Sequence, residues 1–277
     1  MAPHPKLRSG LLATLVLAAV ALSADAAQTV HGLTIASHQL RPIIVHHVRD
    51  TTVGSYNWSG YAVNGAVGSV TDVKGSWKVP AVTCAPGETS YSSFWTGIDG
   101  FNSSTVEQTG TDSDCQNGVP TYYAWFEFYP HPMFSINLMT IQPGDVISAE
   151  VQYAPQTRLF TASIKNVTTG QSFSTSARVN RARRSSAEWI AEAPSSAGGI
   201  LPLAAFGTSF YGVDNTGVAN TSDATVSGTT APIGSFGSNV YQVRMVSVSD
   251  SSVTKAEPSS LSSDGSSFSD VWLNSGP

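Results

Sequence analysis

Histidine and cysteine are scarce. Beyond residue 50 the chain holds one histidine, His131, and in all it has two cysteines, Cys84 and Cys115. A Ser-His-Asp or Cys-His site would therefore rest on His131, which sits between prolines in "YPHPM" with no Gly-x-Ser-x-Gly elbow nearby. His-Glu-x-x-His is absent and His and Cys are too few for a zinc site, so neither a metal nor a cofactor is expected. No phosphate-binding glycine loop occurs, and an acidic balance argues against a nucleic-acid partner. Charged residues make up only 12%, and no helix-length apolar periodicity appears.

One apolar run is present, Leu11 to Leu22, between a basic start (Lys6, Arg8) and the small-residue ending Ala24-Asp25-Ala26. It is shorter than the ~20 residues of a membrane span, and its layout is that of a cleaved export signal, assigned to residues 1–27. The protein is thus expected to be secreted, with no membrane contact after cleavage. In an oxidising compartment Cys84 and Cys115, both read as lying in polar loops, are expected to form a loop-pinning disulfide.

Charge changes sign along the chain. Residues 28–50 carry Arg41 and Arg49, one aspartate and four histidines (His31, His38, His46, His47), whereas the chain from Thr51 onward has 10 Lys+Arg against 17 Asp+Glu. Residues 28–52 read as a short basic pro-segment that docks electrostatically and is released in acid, and 53–277 as a single domain. Histidine gains charge near pH 6.5, above the range where carboxylates lose theirs.

The body reads as strands. Period-two alternation bounded by Gly, Pro, Asn or Ser marks about a dozen stretches, among them Tyr56–Val63, Thr71–Lys78, Ser92–Ile98, Thr121–Tyr129, Asp145–Tyr153, Arg158–Asn166 and Ala187–Glu192. The Ser-rich stretch Ser249 to Ser267 reads as a loop or a loose link to a last strand. The pattern predicts an all-β protein, a sandwich of two large antiparallel sheets. In "TYYAWFEFYP", Tyr123, Trp125, Glu127 and Tyr129 share one face and Ala124, Phe126 and Phe128 the other. "SAEWIAEAP" places Glu188, Ile190 and Glu192 together, and "SSFWTGIDGF" places Trp95, Gly97 and Asp99 together. Carboxylates among aromatic rings on strand faces suit hydrolysis, in which a glutamate activates water and a neutral amide stabilises the oxyanion.

These residues also resemble a known family. "NWSGYAV", "WTGID", "EQTGTD", "YYAWFEFYP", "NVTTGQ", "AEWIAEAP" and "ILPLAAF" occur in the order and approximate spacing of the glutamic peptidases, or eqolisins, between Ser55 and Val246. The resemblance implies an acid-active, pepstatin-insensitive endopeptidase acting on polypeptides as a monomer. It also implies a lectin-like (concanavalin-like) sandwich with catalytic Gln and Glu side by side on the concave face. It places the catalytic glutamine at Gln108 and the glutamate at Glu192, with Glu188 as its neighbour, and the site lining at Trp58, Trp95, Asp99, Asp112, Trp125, Glu127 and Tyr129. Fungal members carry an aspartate where this chain has Tyr123, and acidic and aromatic residues where it has Ala193, Pro194 and Ser195. The alternative is a carbohydrate-binding protein or a glycoside hydrolase using Glu127 with Glu188 or Glu192.

Overall fold

A computed structural model describes Met1 and residues 32–276. The expected export signal therefore lies, apart from Met1, outside the described residues, as do residues 28–31 and Pro277. The strands run β1 (Leu33–Ile35), β2 (Val45–Arg49), β3 (Thr52–Ser55), β4 (Trp58–Asn64), β5 (Val70–Lys78), β6 (Ser93–Ile98), β7 (Val106–Gln116), β8 (Val119–Tyr129), β9 (Phe134–Ile136), β10 (Val146–Ala154) and β11 (Leu159–Asn166). They continue with β12 (Ser172–Ala177), β13 (Ser186–Glu192), β14 (Ser195–Ser196), β15 (Gly199–Ile200), β16 (Thr208–Tyr211), β17 (Asp223–Val226), β18 (Thr229–Pro232), β19 (Val240–Val246), β20 (Thr254–Pro258) and β21 (Phe268–Trp272). Among the described residues helix is confined to α1 (Val213–Thr216) and one 3-10 turn, Ile233–Asn239.

Pairing follows two runs. One is β2-β3-β19-β4-β13-β6-β7-β8-β9-β1, antiparallel except for the parallel β3–β19 pair. The other centres on β5 and β10, with β11 and β12 on one side and β16, β17 and β21 on the other. The two are joined where β20 pairs with both β19 and β21.

The two runs meet over a large core. Trp189, Ala187 and Ala191 of β13, Phe94 and Ile98 of β6, and Phe126 and Phe128 of β8 face Trp77, Val73, Val151, Phe160 and Ile164. In β10 and β11 only alternate residues are buried, the pattern of a sheet wet on its outer face. The central strands β6 and β13 are buried throughout, because a second apolar cluster covers their other face. There Trp58, Trp95, Trp125, Val106, Ile190 and Met133 enclose Leu40.

Three expectations need correction. The longest unpredicted strand, β7, has ten of its eleven residues buried, yet reads as polar because several of its side chains are held by hydrogen bonds in place of apolar contacts. Thr109 Oγ1 donates to Trp125 O, Thr111 Oγ1 accepts from Trp77 Nε1, and Ser113 Oγ donates to Pro80 O. Cys115 consequently lies on a strand, not in a loop, where it is disulfide-bonded to Cys84. The Ser-rich segment contains β20, which pairs on both sides.

Candidate active site

The β7–β8 register sets Gln108 directly opposite Glu127, and the Gln108 amide Nε2 donates to Glu127 Oε2 at 2.7 Å. On the other side Gln108 faces Gly97, which leaves room for its side chain: a Cβ at Gly97 would lie 3.0 Å from Gln108 Cβ and 2.8 Å from Glu107 O. Both Gln108 Oε1 and Glu127 Oε1 are buried without a hydrogen-bond partner.

Glu192, at the end of β13, is fully buried. Its Oε2 accepts from Trp95 Nε1 at 3.1 Å, and its Oε1 accepts from Asn57 Nδ2 at 3.3 Å and from the Arg41 backbone N at 3.0 Å. Desolvation pushes the Glu192 carboxyl well above the usual carboxylate range, against the pull of these donors. Glu127 is raised too, first by burial and next by the neighbouring charge of Glu192.

Sheet register alone sets Glu188, not Glu192, level with Gln108 across Gly97. The electrostatic neighbours differ. Glu188 is raised by burial and senses Asp99 and Glu107, whereas Glu192 acts on Glu127, the acceptor of the Gln108 amide.

The remaining expected residues divide. Trp58 and Trp95 meet edge to face with centroids 5.0 Å apart, and Trp125 and Tyr129 belong to the same apolar cluster. Asp99 turns away from Gln108. Held at a left-handed φ of 72°, it accepts the backbone N–H of Arg183 (2.7 Å), Arg184 (2.6 Å) and Ser185 (2.9 Å), so it anchors the entry to β13. Asp112 accepts from the Tyr123 hydroxyl at 2.8 Å, and the same hydroxyl lies 3.1 Å from Asp114 Oδ2. Tyr123 thus bridges two carboxylates where fungal eqolisins carry an aspartate. Asp112, Asp114 and His38 offer ligand atoms within 4.8 Å of one another; His38 Nε2 and the Tyr123 hydroxyl both meet Asp112 Oδ2, while Asp112 Oδ1 is buried without a hydrogen-bond partner.

Sequence reasoning expected residues 28–52 to dock on the rest of the chain but did not place them over this site. Residues 36–44 cross it as a strap, tied by Ala36 N–Met133 O, by Gln39 and Ser195 exchanging backbone bonds, and by Ile43 N–Gly100 O. His38 Nε2 lies 2.8 Å from Asp112 Oδ2, and Leu40 is fully buried among the tryptophans. The Arg41 carbonyl accepts from Trp58 Nε1 (3.0 Å) and Asn57 Nδ2 (3.3 Å). The Leu40 N–H favours the charged form of Glu127, so the Leu40–Arg41 peptide lies between Glu127 and Glu192. Charge was legible in this segment; that Leu40 is an apolar plug was not. Asn57 was also overlooked as a donor, although it opens the "NWSGYAV" stretch.

Comparison with known proteins places the chain in a family. Residues 56–256 match the Peptidase A4 family. Aspergillopepsin-2 of Aspergillus niger is 32% identical over 198 residues, covering 62% of this chain and 69% of its own. Scytalidopepsin B of Scytalidium lignicola is 35% identical over 132 residues, 47% of each chain. Among solved structures, a scytalido-glutamic peptidase with a peptide-based transition-state analogue shares the fold, with a TM-score of 0.62 at 24% identity over 79% of this chain and 98% of that one. The aspergilloglutamic peptidase from Aspergillus niger gives 0.54 at 25% identity over 66% and 99%. The carbohydrate alternative is left without an observation to carry it. An all-β chain with a buried Gln and Glu on one sheet face, it belongs to the Peptidase A4 family and is a glutamic peptidase.

Proposed function

We propose that the chain is a secreted acid endopeptidase in which Gln108 and Glu192 form the catalytic pair, and that residues 28–52 are a pro-segment holding it latent. The observation that carries this reading is the Leu40–Arg41 peptide, whose N–H donates to Glu192 at 3.0 Å within the group that also holds Gln108 and Glu127. A substrate amide in that place would have its nitrogen beside the glutamate and its carbonyl within the same polar group.

Glu192, as carboxylate, takes a proton from a water molecule, and the water oxygen attacks the scissile carbonyl carbon. Gln108 Nε2 stabilises the oxygen as negative charge develops on it. Glu192 then passes the proton to the nitrogen, the C–N bond breaks, and a carboxylic acid and an amine leave. Glu127 positions the amide through its 2.7 Å bond to Gln108 Nε2. Trp95 and Asn57 fix the glutamate's two oxygens.

An amide suits the oxyanion role in acid because it donates at any pH the enzyme meets, leaving the glutamate to titrate alone. The strap bears on that titration. With Arg41 and Leu40 in place Glu192 is desolvated and its carboxyl is raised well above the usual carboxylate range; release rehydrates it and lowers it toward that range, suited to an acidic medium. The test is cleavage of denatured casein between pH 2 and 7 in the presence of pepstatin, with the strap cut away at a protease site inserted in the exposed turn at Asp50. Acid-restricted cleavage that falls at least about a hundredfold in Gln108→Ala is expected, since one oxyanion donor contributes ~2.7–4 kcal/mol. Unchanged turnover in that variant would refute the pair.

A further inference from the structure

Basic charge in the strap-free part of the chain is concentrated in one place. Five of the ten Lys and Arg residues after Asp50 are Arg158, Arg178, Arg181, Arg183 and Arg184, and no Asp or Glu occurs between Val151 and Ala187. Such a cluster in an otherwise acidic protein could be an ordinary solvated face. Three observations argue for a built site.

The first is shape. Arg158, Arg178 and Arg184 converge from the β10–β11 turn and the β12–β13 loop on one cleft of about 210 Å³, floored by Tyr153 and Phe160 and edged by Asn180. The second is pairing. Lys74 and Arg244 have carboxylates within 4.0 Å, whereas none of the five arginines is in an ion pair among the described residues. Arg184 instead lies flat over the Tyr153 ring, 4.0 Å from its centroid, an arrangement that fixes the guanidinium without neutralising it. The third is the backbone. Arg158, Arg181 and Arg184 hold left-handed φ values of 58°, 71° and 51°, positions where glycine or asparagine costs less. The side chain, not the turn, explains arginine there.

We infer that the cleft between Tyr153 and Arg178 is an anion-binding site, separate from the catalytic face, that takes a sulfate or phosphate monoester group. Guanidinium forks match the paired oxygens of such groups. The carboxylates that crowd Gln108 and Glu192 face the other side of their sheet, the carboxylate that meets this loop, Asp99, accepts from its backbone and not from a guanidinium, and screening over ~8–10 Å weakens the pull of the rest of the acidic protein. The choice of ester over carboxylate rests on the acid-active reading. In an acidic medium a carboxylate ligand loses its charge, whereas a sulfate ester stays ionised and a phosphate monoester keeps one charge. The Asp99-held loop that carries Arg183 and Arg184 leads directly into β13, so an occupied cleft would sit at the root of the strand bearing Glu192.

Calorimetric titration of the full chain with sodium sulfate, sodium phosphate and sodium glucuronate at about pH 2.5, where the glucuronate carboxyl is mostly protonated, and at constant ionic strength tests this, and its readout does not depend on peptidase activity. Sulfate and phosphate should bind at least about tenfold tighter than glucuronate, and the Arg158→Gln/Arg178→Gln double variant should lose that binding by at least about tenfold. Arg244→Gln, which removes a positive charge on β19, should bind as the parent does. Equal loss in Arg244→Gln, or retained binding in the double variant, would overturn the site. No preference for sulfate over glucuronate would overturn the ester assignment. Retention on dextran sulfate but not on dextran tells an ester carried on a polymer from the free ion, and a double variant retained as well as the parent would overturn the polymer-bound form. Circular dichroism of each variant excludes misfolding as the cause.

Discussion

Truncating one strap side chain should weaken latency by a calculable amount. Leu40 is fully buried among Trp58, Trp95, Trp125 and Ile190, and removing such a leucine to alanine costs ~2–5 kcal/mol when the pocket cannot collapse. Rigid indole walls in the sheet face resist collapse. Even the lower figure corresponds to about thirtyfold in an equilibrium constant at ~1.4 kcal/mol per factor of ten. The assay is inhibition of strap-free enzyme by a synthetic peptide of residues 32–50, read as initial rates so that cleavage of the peptide does not intrude. The Leu40→Ala peptide should inhibit at least about thirtyfold less well. The Val48→Ala peptide, altered at a position that is 58% exposed, should match the parent. A Leu40→Ala peptide within about threefold of the parent would show that Leu40 does not seat the strap.

Other consequences reach the rest of the molecule. Burial raises the Asp270 carboxyl to about 8, so its contribution to stability is full below the unfolded value near 4 and is lost as pH rises toward 8. At ~1.4 kcal/mol per unit, about 4 kcal/mol should go between pH 4 and 7. Asp270→Asn, whose amide oxygen can still accept from Ser59 Oγ, should flatten that slope in urea unfolding; an unchanged slope would refute the assignment. Opening Cys84–Cys115, which closes a loop of sequence separation 31, should cost ~3–4 kcal/mol and about 10 °C in Tm, and a Tm within 2 °C of the parent, by the roughly 2–4 °C expected per kcal/mol, would contradict it. Gly97→Ala should push Gln108 off its seat and lower kcat by about tenfold or more with little change in KM, and a normal kcat would mean the side chain has room.

Much of this was legible because alternation works where one face is apolar. The β8 and β13 faces were read correctly from "TYYAWFEFYP" and "SAEWIAEAP", since Phe126, Phe128, Trp189 and Ala191 point into the core. β7 escaped because most of its buried side chains between Gln108 and Asp114 are polar, and several meet partners distant in sequence. The same polarity that concealed the strand holds the candidate amide. Asp99 was expected beside the catalytic pair because its strand face matched. A positive φ at the strand end rotates it onto the Arg183–Ser185 backbone instead, which no periodicity reveals. The leader's charge suggested electrostatic docking, and His38 Nε2 does meet Asp112 Oδ2. Most of its hold, however, is backbone pairing and one buried leucine.

The most direct test compares two glutamates on one strand face. With the strap cut away at the Asp50 turn, turnover of casein at acid pH should fall by about a hundredfold to ten-thousandfold in Glu192→Gln, the range of a lost general base. Glu188→Gln, which keeps the shape of a side chain whose carboxyl burial pushes well above the usual range, should stay within about tenfold of the parent. The reverse order, with Glu188→Gln inactive and Glu192→Gln working, would mean that sheet register and not the electrostatic grouping locates the partner of Gln108.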